Sequence, residues 1–352
     1  MRKMRYSGNH NIIGVDIGSS SIKVCQVEKK QKRYHLKSFG LANLPPSAII
    51  HGAIKEPTVI AGTLKSLLAN LNLKSPEVVL AISGYSVILK QSSLPFLTEK
   101  ELAQSLPFEA KQHIPFDLSE VNLDFQILGP TKEDPDFMSV LLVAAKKEVL
   151  GDYLEILTLS GLEAAVADVA AFALANAYEA NYLLDDHPVA LLDLGASQTT
   201  LMVVNQEGPI FNREISLGGR QLTETLQNLG HLSFEEAEKL KLQGDRDPDH
   251  FEQVAPAFLE GLRSWSLEIK RALDFLATSD PQSKPIKMVL SGGSSALPGF
   301  PELLSEELQL PAEFLNPFAQ VQLDPDGVDP DYLRTVGPQA AIAFGLAIRY
   351  RE

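Results

Sequence analysis

Two short stretches of this chain carry the residue types that phosphate and magnesium chemistry needs. Ile12-Ile-Gly-Val-Asp-Ile-Gly-Ser-Ser-Ser-Ile-Lys-Val24 runs an apolar segment into Asp16, then Gly18 and three serines. Val189-Ala-Leu-Leu-Asp-Leu-Gly-Ala-Ser-Gln-Thr-Thr-Leu-Met-Val203 repeats the plan with Asp193 and Gly195. Each reads as a β-hairpin with a tight turn of small residues. The turn residues Gly18, Ser19, Ser20 and Ser21, and in the second copy Gly195, Ala196, Ser197 and Thr199, leave backbone N–H groups open to an anion. A carboxylate at the strand end beside such a turn suits Mg²⁺ held through water, so Asp16 and Asp193 are the metal candidates. Taken singly, Asp-x-Gly-x-Ser is short and also describes an ordinary hairpin.

The pair is more telling than either copy. The two acids stand 177 positions apart, half of the 352-residue chain, as a duplicated domain with a cleft between its halves requires. A third element follows in order: Lys287-Met-Val-Leu290 reads as a strand running into Ser291-Gly-Gly-Ser-Ser-Ala-Leu297. Gly292 and Gly293 let the backbone lie flat against a base or ribose, and the helix beyond can turn its N-terminus to phosphate. The two Asp-x-Gly turns resemble the phosphate loops of the actin-like ATPase superfamily, and the Ser291–Leu297 stretch resembles its adenosine motif. That resemblance implies an α/β, ribonuclease H-like duplicated fold of two domains around a central nucleotide cleft. It implies ATP as ligand, Mg²⁺ positioned by Asp16 and Asp193, and Lys23 on a phosphate. It also implies adenosine contacts at Gly292, Gly293, Ser294 and Leu297, with Glu238 and Lys241 at the ribose and base; that last pair reads equally well as a solvated helix face. Asp168 resembles by position the group that orients water for hydrolysis, and it reads equally as a helix cap. Ala170 stands where relatives often carry an acid, so slow or absent ATP hydrolysis is expected.

The elements that must hold these residues follow from periodicity. Tyr34–Phe39 continues the first hairpin into a three-strand meander, with the basic run Lys29–Arg33 at its second turn. Pro57–Leu73 has helical apolar spacing and Glu77–Ile82 reads as a buried strand. From Tyr85 to Gly161 the order strand, helix, strand, strand, helix predicts an inserted α+β subdomain. Thr98-Glu-Lys-Glu101 is a capping box for its first helix, Pro107 should kink or divide that helix, and Gly161 C-caps the last. Alanine-rich segments, Asp168–Asn181 and Gln339–Ile348, predict two helices that pack closely as connectors between the domains. A second capping box, Ser233–Glu236, opens a helix; Gly244–His250 reads as a polar loop; and a long amphipathic helix is predicted from about Val254 to Ala277, with Trp265 in the core. The expected division is 9–84 with connectors 162–181 and 336–350, the insert 85–161, a second actin-like part at 187–224 and 286–335, and a helical part at 225–285.

Composition excludes several classes. With 31 basic and 45 acidic residues the net charge is −14, which argues against nucleic acid or an anionic membrane face as a direct partner. No run reaches the roughly 18 apolar residues of a membrane span, and the basic N-terminus lacks the apolar core of a secretory signal, so a cytoplasmic protein is expected. The lone Cys25 reads as a small core residue, and the seven histidines show no metal-ligand spacing.

Within the superfamily the resemblance narrows. Phe108-Glu-Ala-Lys-Gln-His-Ile-Pro-Phe116, Val121-Asn-Leu-Asp-Phe125, Gly14-Val-Asp-Ile-Gly-Ser-Ser-Ser-Ile-Lys-Val24 and Asn316-Pro-Phe318 together resemble the PilM family of type IV pilus biogenesis proteins, relatives of the cell-division protein FtsA, from end to end. The implied function is an ATP-binding cytoplasmic adaptor, peripheral to the inner membrane through its partner. It would grip the N-terminal cytoplasmic tail of PilN between the first domain and the insert, with other pilus inner-membrane and motor components as further partners. The rival readings are an FtsA-like filament, which would carry a C-terminal amphipathic helix where this sequence stops at Tyr350-Arg-Glu, and an actin-fold small-molecule kinase, which would need a catalytic carboxylate and sugar contacts beside the second domain's cleft, a cluster that does not stand out in the sequence.

Overall fold

The computed structural model describes residues 13–31, 33–74, 77–131, 134, 136–244, 248–324 and 328–349. The N-terminal basic segment and part of the loop at 244–250 lie outside them.

The chain starts with the predicted meander: β1 (Ile13–Ile17), β2 (Ser21–Lys30) and β3 (Arg33–Asn43), all antiparallel neighbours. A short hairpin, β4 (Ile49–Ile50) and β5 (Ala53–Ile54), leads to helix α1 (Pro57–Asn70) and to β6 (Glu77–Ile82), which lies parallel to β1. β1 is buried on both faces. Its alternation assigns the covers: Ile13, Val15 and Ile17 join a core with Ile60 and Leu64 of α1, while Gly14 and Asp16 point the other way.

The insert comprises β7 (Val87–Pro95), α2 (Glu99–Lys111), β8 (Val121–Pro130), β9 (Phe137–Lys146) and α3 (Lys147–Ser160). Its strands form their own sheet in the order β7-β9-β8, over small cores built on Leu102, Met138 and Val140 and on Ala110 and Val121. The Thr98 capping box forms, with Glu101 accepting from the Thr98 N–H at 2.8 Å. Pro107 does not divide α2, because it sits on the exposed face, where the carbonyl it leaves without a donor can meet water. The expected grouping of residues 147–160 with the insert is corrected: α3 buries Tyr153, Ile156 and Leu157 against Ile60, Leu64 and Leu68 of the first domain.

The chain returns through β10 (Glu163–Val169), parallel to β6, and then α4 (Ala170–Glu179). Here the predicted helix start is corrected. Asp168 is the penultimate residue of a strand, Val169 is the N-cap, and no side chain caps α4. The second domain repeats the first with β11 (Val189–Leu194), β12 (Thr199–Asn205) and β13 (Gly208–Ile215) as a meander. Helices α5 (Gly219–Gly230), α6 (Phe234–Gln243) and α7 (Pro248–Ser279) follow, the last beginning within the stretch expected to be loop. β14 (Lys287–Ser291) runs parallel to β11, then come α8 (Phe300–Leu308), β15 (Ala312–Phe314), β16 (Gln322–Leu323) and α9 (Pro330–Ile348). Strand orders β10-β6-β1-β2-β3 and β15-β14-β11-β12-β13 are the same plan written twice, with β16 added at the edge of the first. The helical part does not stand apart, since Phe258, Leu262, Trp265 and Ile269 of α7 share one core with Leu192, Leu201 and Leu290 of the second sheet.

The two alanine-rich helices cross between the sheets. A Cβ on Gly345 of α9 would lie 1.8 Å from the Ala173 carbonyl of α4, and one on Gly14 of β1 would lie 2.2 Å from the Ala343 carbonyl. Both contacts bring backbone onto backbone, which only glycine permits. The crossing fixes how the two hairpins face each other.

Candidate functional site

Each hairpin closes in the same way. The Gly18 N–H donates to the Ser21 carbonyl at 3.0 Å, and the Gly195 N–H to the Gln198 carbonyl at 3.0 Å. Asp16 and Asp193, at the ends of β1 and β11, both line one cleft of about 990 Å³ between the domains. Gly18, Ser19, Ser20, Ser21 and Lys23 line it from one side and Gly195, Ala196 and Ser197 from the other. Lys23 Nζ pairs with Asp16 Oδ2 at 3.2 Å and lies against Gly18, over the first turn. Asp193 has a hydroxyl instead, Ser291 Oγ donating to Oδ1 at 3.1 Å. Burial, with the Asp16 charge added, pushes the Asp193 carboxyl up to about 6, against the opposing pull of Lys23 and Ser291.

The third loop packs on the second. Gly292 has φ +88°, and a Cβ there would meet the Leu194 backbone at 2.5 Å, so only glycine fits. The Ser294 N–H donates to the Leu194 carbonyl at 2.9 Å and its hydroxyl to the Gly195 carbonyl at 3.0 Å, locking the adenosine-type loop to the phosphate-type turn. Gly293 and Ser294 line the cleft beside them, as do Glu238 and Lys241 of α6. The Lys241 ammonium is buried and bonds Glu238 at 2.7 Å, Thr223 Oγ1 at 3.0 Å and the Gly219 carbonyl at 3.2 Å. Burial pulls its pKa down and the Glu238 charge opposes the shift. The solvated-face reading of this pair therefore does not hold for Lys241.

Three expected site residues do not reach the cleft. Thr199 is fully buried, donating to the Leu217 carbonyl at 2.8 Å and accepting from the Trp265 indole at 2.8 Å. Strand alternation turns its neighbour Thr200 to the cleft instead. Leu297 packs in the core of the second domain. Asp168 is buried near the end of β10, where Arg349 Nε donates to Oδ2 at 2.6 Å and the Val169 N–H to Oδ1 at 2.8 Å. Its pKa is raised by burial against the Arg349 charge. Ala170, not Asp168, faces the cleft.

Other cleft residues carried no local signal. Arg220 of α5 reaches over to the carbonyls of Ser19 at 3.2 Å and Pro46 at 2.6 Å, and Gln198 Nε2 reaches Ser83 Oγ at 2.8 Å, so each bridges the two domains. Gln339 of α9 stands beside Gly293. Thr200 and Ser291 could have been found from register, since both pair directly with Asp193. Beyond the hairpins the cleft continues past β4 and β5 to Tyr85, Phe116, Lys146 and Tyr153, where insert and first domain meet. Lys146 Nζ there lies 4.2 Å over the Phe116 ring.

The residues fit a magnesium-bound triphosphate. Ser197 lines the cleft in the second turn, and its buried hydroxyl has no hydrogen-bond partner among the described residues. Among the described residues no group of three or more His, Cys, Asp or Glu could cage a bare metal, so two facing carboxylates suit a hydrated cation.

Duplicated sheets, crossed helices and paired acidic hairpins around one cleft define an actin-like ATPase fold. The ethanolamine utilization protein EutJ of Carboxydothermus hydrogenoformans shares this fold, at TM-score 0.56 and 16% identity over 96% of this chain and 88% of its own. The family model for type IV pilus assembly protein PilM matches residues 14–351, and the chain belongs to that family. A solved chain of a PilM-PilN type IV pilus biogenesis complex is similar at TM-score 0.85 and 31% identity, covering 97% of this chain and 99% of that one. Cell division protein FtsA of Bacillus subtilis is a more distant relative, 23% identical over 94% of this chain and 83% of its own length. FtsA of Streptococcus pneumoniae is likewise 23% identical, over 83% and 72%. Among the described residues no helix is long and apolar enough to cross a membrane.

Proposed function

We propose that this chain binds ATP with Mg²⁺ in the interdomain cleft and serves as an adaptor of the type IV pilus assembly machine. The observation that carries the nucleotide reading is the pair of Asp-x-Gly hairpins lining one cavity from opposite domains, with Lys23 over one turn and, in the other, a Ser197 hydroxyl that has no partner among the described residues. The turn N–H groups other than those of Gly18 and Gly195, which close the hairpins, would bind phosphate oxygens together with Lys23; Asp16 and Asp193 would hold the water shell of Mg²⁺, which neutralises phosphate charge when bound. Glu238 and Lys241 take the ribose and base, and Gly292, Gly293 and Ser294 take the adenosine side. Hydrolysis is slow or absent, because the cleft wall presents Ala170 where a water-orienting carboxylate would serve, while Asp168 is committed to Arg349.

The partner is the N-terminal cytoplasmic tail of PilN, and this reading draws support from similarity to the solved PilM-PilN complex. The arm of the cleft between Tyr85, Phe116, Lys146 and Tyr153 offers apolar and aromatic walls to an extended peptide at the junction of insert and first domain. Bound there, the chain works in the cytoplasm and meets the inner membrane only through its partner, with other pilus inner-membrane and motor components within reach. A whole-chain net charge of −14 argues against nucleic acid as a direct partner. Two measurements test the proposal. Calorimetry with ATP should show binding that tightens with Mg²⁺, and a PilN tail peptide on beads should retain the chain. No ATP binding would overturn the first half; no retention, or phosphorylation of a small-molecule substrate instead, would overturn the second.

A further inference from the structure

Four strands of the second sheet put one polar residue each into a single cross-strand row. Ser291 of β14 pairs with Asp193 of β11, Asp193 with Thr200 of β12, and Thr200 with Glu214 of β13. Directly opposed residues share a face of the sheet, so all four side chains stand on the side of Asp193. Two contacts run along the row. Ser291 Oγ lies 3.1 Å from Asp193 Oδ1, sharing its proton with the Pro338 carbonyl at 2.8 Å, and the Thr200 hydroxyl lies 3.0 Å from both Glu214 oxygens. Asp193 and Thr200 line the cleft, and Glu214 stands behind Thr200.

The hydrogen-bond inventory decides what Thr200 can offer. A hydroxyl has one proton and two lone pairs, and an ionised carboxylate accepts only. When Glu214 is ionised, as at the pH 8 of the test below, the Thr200 proton is committed to it and Oγ1 presents lone pairs to the cleft. It cannot donate to a phosphate oxygen there, as the turn N–H groups do, and it suits a cation or the protons of a cation's water. We propose that Glu214 is a positioning residue that makes Thr200 an acceptor for the Mg²⁺ hydration shell, completing with Asp193 a cation-facing wall on the second domain. Lys23, opposite Asp16, makes the first hairpin the phosphate-facing wall.

This inference rests on the nucleotide reading above. Its test compares ATP affinity in Mg²⁺ and in EDTA, by calorimetry at pH 8, for the whole chain and three variants. Glu214→Gln keeps the shape but lets an amide donate to Thr200, freeing the hydroxyl proton to turn into the cleft. It is expected to weaken binding by about 10-fold in Mg²⁺ and by less than about 2-fold in EDTA, the usual scale for an outer partner of a metal ligand. Thr200→Val should do the same, and Thr200→Ser should restore the Mg²⁺-dependent part. Equal weakening of Glu214→Gln in Mg²⁺ and EDTA would mark a structural role and overturn the proposal, as would wild-type affinity in both. If Glu214→Gln fails to fold, the Thr200 pair decides alone: a valine that binds like wild type in Mg²⁺ overturns it. A wild-type chain that binds no ATP fails in a different way, sinking the nucleotide reading itself.

Discussion

Cross-strand from the acid of the first hairpin stands Lys23, and from that of the second stands Thr200. The turns close on the same hydrogen bond and the acids occupy the same strand position, yet one acid has a charged partner and the other only hydroxyls in direct contact. Asp16 has an ammonium at 3.2 Å, whereas Asp193 has hydroxyl neighbours, a buried setting and a carboxyl raised to about 6. The two hairpins share one backbone plan, and the residue opposite each acid sets the difference: an ion pair on the first side, an acid among hydroxyls on the second. A polyphosphate with a bound divalent cation needs both, because its oxygens seek positive charge and its metal seeks negative charge.

The two hairpins cannot oppose each other if the helices between the sheets cannot pack. Gly345→Val places side-chain atoms where the Ala173 carbonyl lies, and is expected to cost on the order of 4 kcal/mol, read as a collapse of the denaturation midpoint.

Exchanging each acid for its amide separates the two hairpins. Asp16→Asn and Asp193→Asn should each lower Mg²⁺-dependent ATP affinity by about 100-fold, or roughly 2.7 kcal/mol. Without ligand the two should part: Asp16→Asn destabilises by about 2 kcal/mol because Lys23 loses its partner, while Asp193→Asn is neutral or stabilising because a desolvated carboxyl is removed. Melting of the two unliganded variants decides it, and a shared direction would mean the hairpins are electrostatically alike.

The same contrast has a pH signature. Asp193 near 6 and Glu214, raised by burial to about 7, bind protons more tightly folded than unfolded. For acids with raised folded pKa, stability is greatest below the unfolded values and falls as pH climbs through the folded ones. The unliganded protein should therefore lose stability, on the order of 1 kcal/mol or more, between about pH 4 and pH 7. Glu214→Gln should flatten that slope, and an unchanged slope would remove Glu214 from the account.

The smallest effect separates adjacent threonines. Thr199→Val removes the link between the Leu217 carbonyl and the Trp265 indole and should cost about 1 kcal/mol in denaturant titration. Its ATP affinity should stay within about 2-fold of wild type, since Thr199 does not line the cleft.

Much of the molecule was legible because its signals are local. The bounds Lys147–Ser160 for α3, with Gly161 at φ +75°, follow from a capping glycine after an apolar periodicity, and the Ser233 box opens α6 as read. Both hairpins were visible for the same reason: strand, acid, glycine and hydroxyl lie within a dozen residues. Thr199 was misplaced because a turn residue and the first residue of a strand look alike until alternation assigns a face. Pro107 misled because its effect depends on exposure, which periodicity around it did not reveal.

What the sequence by itself determined is the pair of acidic turns, the family they belong to and most element bounds, since these depend on neighbours a few residues apart. Only the tertiary structure decided that Asp168 is bound by Arg349, 181 residues further on, that Arg220 reaches the first loop, and that Glu214 stands behind Thr200. These are contacts between segments brought together by the sheets and crossed helices. Their geometry depends on register and packing across the whole chain, and no local pattern of residue types encodes it.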